Sequence, residues 1–336
     1  MLKNKIKLLM LCLFFAACTE EDIDDGSDGS GNWVKQSDFE GVVRSSAVSF
    51  TIGEYAYVGL GSDGDDYNTD FWRYDPSRNF WQEMAEFPGV GRISAVAFSA
   101  NGKGYVGTGY NADLEVEELD DFWEYDPEAN TWTQKVSFGG GVRYSAIAFA
   151  IDDKGYVGTG FDGNYLKDLW MYDPATDTWE QKISLFGSKR ESAHVFVIGG
   201  TAYISGGRNN GQYLNDFWAY SAASDTWTDL SLNSDHDDYD IYLAAINRYS
   251  AATFVIDNKG YISTGTADSY LGSTYSYDPE TDTWDDDNQS FEGIYRGDAV
   301  SFSLNGLGYV ATGRSTSLRH DDIWSYNPYE DYDEYD

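Results

Sequence analysis

The residues best equipped for chemistry in this sequence are six arginines, Arg44, Arg92, Arg143, Arg190, Arg248 and Arg296, each opening the segment R-x-[SD]-A-x-x-F. A guanidinium presents a rigid fork of donors that takes a carboxylate or phosphate bidentately, so a regular set of arginines suits anion recognition. The anion can belong to a ligand or to the chain. Asp70, Asp121, Asp168, Asp216 and Asp322 each begin a later D-[FLI]-W segment and are the internal candidates. Arg248 breaks the pattern: Thr274 stands where its aspartate is expected, with Asp268 in the preceding loop as the substitute. Other reactive side chains are scarce. The histidines are His194, His236 and His320, and the two cysteines, Cys12 and Cys18, both precede Thr19. Thiolate chemistry and disulfides therefore drop out of the rest of the chain.

The elements that must position these arginines repeat with a period of about fifty residues, the range of solenoids and propellers. Each arginine segment alternates small and apolar residues as a half-buried strand does, here strand a. A second strand, b, reads YVGLG from Tyr57, YVGTG from Tyr105 and Tyr156, YISGG from Tyr203, YISTG from Tyr261 and YVATG from Tyr309. Strand c begins at Asp70, Asp121, Asp168, Asp216, Ser273 and Asp322 and ends in a YDP-like turn. Strand d carries Trp81, Trp132, Trp179, Trp227 and Trp284, one tryptophan short of six repeats. The missing one lies at the other end of the chain. Trp33 precedes Arg44 by the eleven residues that separate Trp81 from Arg92, and Phe39 matches Phe87 and Phe138, whereas the sixth repeat has Asp333 at the tryptophan position. The spacing predicts an all-β, six-bladed propeller whose last blade is completed by an N-terminal strand, so that no sheet edge is left unpaired at the seam.

The R…A…Y…G…W…YDP…W pattern resembles the kelch repeat over Trp33 to Pro328, with the family's double glycine kept only as Gly206-Gly207. In a blade of four antiparallel strands the start of a, the b–c loop and the d–a loop share one end, so the motif arginines ring one mouth of the channel. The resemblance implies partner binding at that face and makes Arg44, Arg92, Arg143, Arg190, Arg248 and Arg296 the candidate ligand-binding residues. Pairing with the strand-c aspartates is the competing expectation. Like charges about 10 Å apart on neighbouring blades repel by about 1.7 kcal/mol at an effective dielectric of 20, which favours neutralisation. The variable b–c loops and the long blade-four d–a insertion, SLNSDHDDYDIYLAAIN, are expected to carry specificity.

Catalysis has thin support. Galactose oxidase shares the kelch ring, but its copper site needs a cysteine-crosslinked tyrosine. His194 replaces the aliphatic residues at Val48, Val96, Ile147, Ala252 and Val300 and is expected to be a hydrogen-bonded buried histidine near the axis. The acidic clusters Asp63-Gly-Asp65-Asp66, Asp235-His-Asp237-Asp238 and Asp285 to Asp287 lack the spacing of a calcium loop and read as solvated charge. No catalytic residue, metal or cofactor is assigned.

With 57 acids against 22 Lys and Arg, the formal net charge is −35, which repels a nucleic-acid backbone. Lys3, Lys5 and Lys7 precede the apolar run Leu8 to Phe15, the form of an export signal over residues 1–17. FAAC, ending at Cys18, resembles a bacterial lipobox with Cys18 as the lipidated residue. An acidic tether, 18–31, follows, similar to surface-export signals of Bacteroidetes lipoproteins; the propeller spans 32–328 and an acidic, solvated tail 329–336. The expectation is an outer-membrane lipoprotein, surface-exposed, acting as a non-catalytic binding module for a protein or glycan, anionic ligands included, with contact to the membrane only through the lipid. The alternative is a carbohydrate-active envelope enzyme similar to the six-bladed sialic-acid mutarotases.

Overall fold

Alternating apolar residues and glycine exits generate short strands of mostly five residues, and the computed structural model, which describes residues 29–333, assembles them into six four-stranded antiparallel sheets. The expected leader, Cys18 and most of the tether lie outside the described residues, as do 334–336. Blade one shows the plan: strand a is Val48–Ile52, b is Tyr55–Gly59, c is Phe71–Asp75 and d is Phe80–Glu83, paired in that order. Blade six has Val300–Leu304, Leu307–Ala311 and Ile323–Asn327, and its fourth strand is Asn32–Lys35 from the other end of the chain. The expected closure is thus the observed one, with Trp33 opposite Tyr326 in an antiparallel register.

Strand a faces two environments because its side chains alternate. Val48 and Phe50 are buried between blades, whereas Ala47 and Ser49 line the channel. Contact between blades is close enough to exclude a β-carbon: one built on Gly104 in strand b of blade two would lie 2.1 Å from Phe50 of blade one. Four of the six strand-d tryptophans are wedged by the phenylalanine that follows the preceding strand d, as in Phe39 on Trp81 (4.8 Å, 90°) and Phe138 on Trp179 (4.7 Å, 81°), whereas Trp227 clusters with Leu185 and Trp284 meets Tyr242. Such edge-to-face pairs add to the area they bury.

One helix, α1 (Tyr239–Ile246), interrupts the β architecture within the blade-four insertion, burying Tyr242, Ala245 and Ile246. Two small ribbons, Arg208–Asn209 with Gln212–Tyr213 and Arg314–Ser315 with Leu318–Arg319, form the b–c loops of blades four and six. At the seam, Ser30 pairs with Asn288, and the backbone N–H of Asp333 donates to Asn32 Oδ1 at 3.2 Å. The start of the tail therefore packs on the closing strand.

Candidate functional site at the channel mouth

The motif arginines do not form an open ring. All six are 0–1% exposed. Arg44 grips Asp70 with both terminal nitrogens (2.7 and 2.5 Å), Arg143 grips Asp168 likewise (2.7 and 2.9 Å), and Arg92 and Arg296 hold Asp121 and Asp322 in the same bidentate way. Arg190 reaches Asp216 through one nitrogen at 2.6 Å. Each aspartate also accepts the indole N–H two residues on, as Trp72 to Asp70 at 2.7 Å. Each arginine donates further to the carbonyl at the end of strand b, sixteen residues later. Burial alone would raise the carboxyl groups of Asp121, Asp216 and Asp322, but the arginine beside each outweighs it and holds them below the usual range. These pairs tie strand a to strand c. A ligand at the mouth does not meet the six guanidinium groups as they stand, which corrects the ligand-binding expectation for Arg44, Arg92, Arg143, Arg190, Arg248 and Arg296.

Arg248 is also not the free member. The aspartate position is held by Ser273 rather than Thr274, whose hydroxyl pairs with Ser263 inside the blade. Arg248 donates to Ser273 Oγ (3.0 Å) and O (3.2 Å), to Thr264 O (2.8 Å) and to Ala244 O (2.8 Å). Asp268 interacts with Tyr213 instead. Ala244 lies in the last turn of α1, where the unsatisfied carbonyls carry partial negative charge. The insertion therefore supplies an acceptor in place of the lost carboxylate. The replacement is incomplete: burial pulls the Arg248 pKa down to about 10.

His194 is buried in the same region, between blades four and five rather than facing the channel, and neither ring nitrogen meets a partner of good hydrogen-bond geometry. Burial and then the Arg248 charge hold its pKa down to about 3, against a smaller opposing pull from the Ile246 carbonyl. The acidic loops are organised locally. Asp63 Oδ1, for example, accepts the backbone N–H of Asp65 and Asp66.

What does face the mouth are the positions next to the arginines. The third residue of each segment, Ser46, Ser94, Ser145, Ser192, Ser250 or Asp298, has φ between 51° and 55°. Their backbones form a closed ring in which each N–H donates to the carbonyl of the blade before it, from Ser46 on Asp298 (2.9 Å) round to Asp298 on Ser250 (3.2 Å). Left-handed backbone is costly for these residue types and persists where surrounding structure over-determines it, as this ring does. Five hydroxyls and one carboxylate surround a mouth of about 180 Å³.

The residue directly after each arginine pairs with the residue after the strand-b glycine: Ser45 with Ser62, Ile93 with Tyr110, Tyr144 with Phe161, Glu191 with Arg208, Tyr249 with Thr266, and Gly297 with Arg314. Here the sixfold symmetry ends. Blades two and three contribute a run of rings, Tyr110 on Tyr144 (5.0 Å) and Tyr144 on Phe161 (5.6 Å). Blade four contributes Arg208, whose Nε donates to the buried Glu191 at 2.8 Å while its guanidinium lies 4.6 Å over Tyr249. Blade six contributes Arg314, whose Nε donates to Asp298 at 2.8 Å. The side chains of Arg208 and Arg314 are 40% and 48% exposed, and among the described residues their terminal nitrogens make no hydrogen bond. These two arginines were missed because they lie outside the repeated motif. The available signal was variation at the position after each motif arginine, whose side chain must point away from the buried one.

A family model described as "KLHDC2/KLHL20/DRC7 Kelch-repeats domain" matches two overlapping stretches, residues 86–239 and 143–294. No curated protein matches the chain. Among solved structures, the chain is similar to one described as "Structure of YjhT", with 16% identity and a TM-score of 0.72 over 86% of this chain and 95% of that one. At that identity the likeness concerns the fold.

Proposed function

This chain belongs to the Kelch-repeat family, and from that premise we propose a non-catalytic binding module that takes an anionic protein or glycan ligand at the channel mouth. One observation carries the reading: Arg208 and Arg314 are each held by a carboxylate through Nε, leaving their terminal donors at the mouth on either side of Tyr249. A guanidinium oriented in this way offers a preformed fork to a carboxylate, sulfate or phosphate. The protein's overall negative charge opposes approach of such a ligand at long range, but at physiological salt it is screened beyond about 8 Å, so local contacts decide. Display from the envelope through lipidated Cys18 belongs to the same proposal and is supported by the FAAC sequence and the acidic residues behind it.

The test is an array of anionic glycans and acidic peptides probed with the protein lacking residues 1–18, followed by titration of Arg208→Ala and Arg314→Ala. Each substitution is expected to weaken binding about tenfold or more, the effect of losing a charge-assisted hydrogen bond, and to lower the melting temperature, since it leaves Glu191 or Asp298 unpaired. Unaltered affinity in the double variant refutes the site. A second reading, a carbohydrate-active enzyme, has in its favour the buried carboxylate of Glu191 beside an arginine in an asymmetric mouth. It requires that incubated saccharides be recovered chemically changed, whereas the binding reading requires them unchanged.

A further inference from the structure

The b–c loops of blades three and four enclose a cleft of about 430 Å³, lined by Phe161, Asn164, Tyr165, Lys189, Asn209 and Asn210. Its volume lies within the range of small-molecule sites, roughly 300–1,000 Å³. Both walls are stiff. On one side Phe161 bridges Tyr165 in an antiparallel pair and packs edge-on against its ring at 5.0 Å, while Asp162 Oδ1 accepts the Asn164 N–H at 2.9 Å. On the other side the ribbon Arg208–Asn209 with Gln212–Tyr213 turns through Asn210 and Gly211 at φ 49° and 77°, the primed hairpin turn that matches strand twist. Asn210 Nδ2 donates to Asn209 Oδ1 at 2.8 Å, which fixes both amides. Among the described residues, Asn209 Nδ2 and Asn210 Oδ1 make no bond within the protein, leaving one donor and one acceptor side by side at the cleft.

From this we infer that the cleft between the blade-three loop and the blade-four ribbon is a subsite for a neutral saccharide ring. A half-exposed aromatic ring stacks on the C–H face of a pyranose. Paired amide donors and acceptors answer neighbouring hydroxyls, each of which both donates and accepts. Lys189 is the one charged side chain that lines this cleft, with Arg208 beside its Asn209 wall and within electrostatic reach of Tyr165. The inference rests on the binding reading above and extends it to a second ligand class at a separate place.

Saturation-transfer NMR with the methyl pyranosides of glucose, galactose, mannose and N-acetylglucosamine tests it on the protein lacking residues 1–18. At least one probe is expected to receive transfer, with affinity falling about tenfold in Tyr165→Ala and in Asn209→Ala/Asn210→Ala, and by less than about threefold in Tyr165→Phe. The asparagine pair sits on an exposed ribbon, so that variant keeps the test valid should Tyr165→Ala unfold. Binding of a neutral probe that survives Arg314→Ala supports the cleft even if the anionic arrays are silent. Absence of transfer to all four probes overturns the inference, as does loss of the neutral probe in Arg314→Ala alone, which would place it at the mouth, since Arg314 lies in the blade-six ribbon away from the cleft. Transfer that is undiminished in the asparagine variant overturns it equally.

Discussion

Replacing Trp33 by alanine tests ring closure at its most concentrated point. The side chain is fully buried, its Nε1 donates to Gln289 O at 3.1 Å, and its ring packs on Tyr326 (4.9 Å), Phe291 (5.0 Å) and Phe254 (6.0 Å). Truncating a buried tryptophan costs about 3–5 kcal/mol from lost transfer free energy and the cavity left behind. Unfolding entropy of about 2.1 cal/mol/K per residue over about 300 residues converts this to a fall in melting temperature of about 5–8 °C. Differential scanning calorimetry of the protein lacking residues 1–18 reads the change, with Trp33→Phe as a variant that keeps the ring contacts and forfeits the hydrogen bond. Removing residues 29–39 should do more. It strips the partner from Ile323–Asn327 and takes Ser30 O away from the Tyr326 hydroxyl, which donates to it at 2.9 Å. In blades one to five the equivalent tyrosine donates to a turn residue of its own blade, such as Asn79 for Tyr74, so this hydroxyl looks to the N-terminal segment at the seam alone, while blade one also loses the Phe39 contact to Trp81. The exposed edge is expected to pair between molecules, seen as dimers or aggregates in light scattering. A Trp33→Ala protein that melts within about 1 °C of the parent, together with a monomeric 29–39 deletion, would refute closure as a source of stability.

The remaining predictions concern the two kinds of arginine and the buried histidine. Arg143→Ala leaves Asp168 without its bidentate partner and is expected to cost about 3–5 kcal/mol, whereas Arg248→Met orphans no carboxylate and should be near neutral or stabilising, read by denaturant unfolding. Arg208→Ala and Arg314→Ala should weaken anion binding and also lower the melting temperature, Arg208→Ala the more, because it leaves the buried Glu191 carboxylate without its partner whereas Asp298 is somewhat less buried. His194 stays neutral in the fold, with a pKa near 3, but takes a proton near pH 6.5 when unfolded, so its contribution is present above pH 6.5 and is lost as pH falls toward 3. At about 1.4 kcal/mol per unit, His194→Val should make the protein about 2–3 kcal/mol less sensitive to a drop from pH 6.5 to 4.5. Identical acid dependence in variant and parent would show that burial and the Arg248 charge do not hold this ring neutral.

Repetition made most of the fold legible. Because every blade solves the same packing problem, strand a, strand b, the turn and the tryptophan recur at fixed offsets, and the one displaced tryptophan, Trp33, declared the closing strand by its spacing to Arg44. The same repetition proposed both fates for the arginines and could not choose between them. The choice depends on depth: strand c brings Asp70 to Arg44 across 26 residues of chain, where the guanidinium is shut off from water and the carboxylate is mostly so. The substitution of Ser273 for aspartate was visible one position off, at Thr274, because blade five has no aspartate to mark the register, and the carbonyl from α1 that compensates for it comes from a helix with no counterpart in other blades. The mouth was hidden for a different reason. Glu191, Arg208, Tyr249, Asp298 and Arg314 belong to three blades and occupy positions that vary from repeat to repeat, so periodicity discards them as noise. Each strand's alternation determines that a residue next to a buried arginine turns toward solvent. Only closing the six blades around one axis determines that those residues converge.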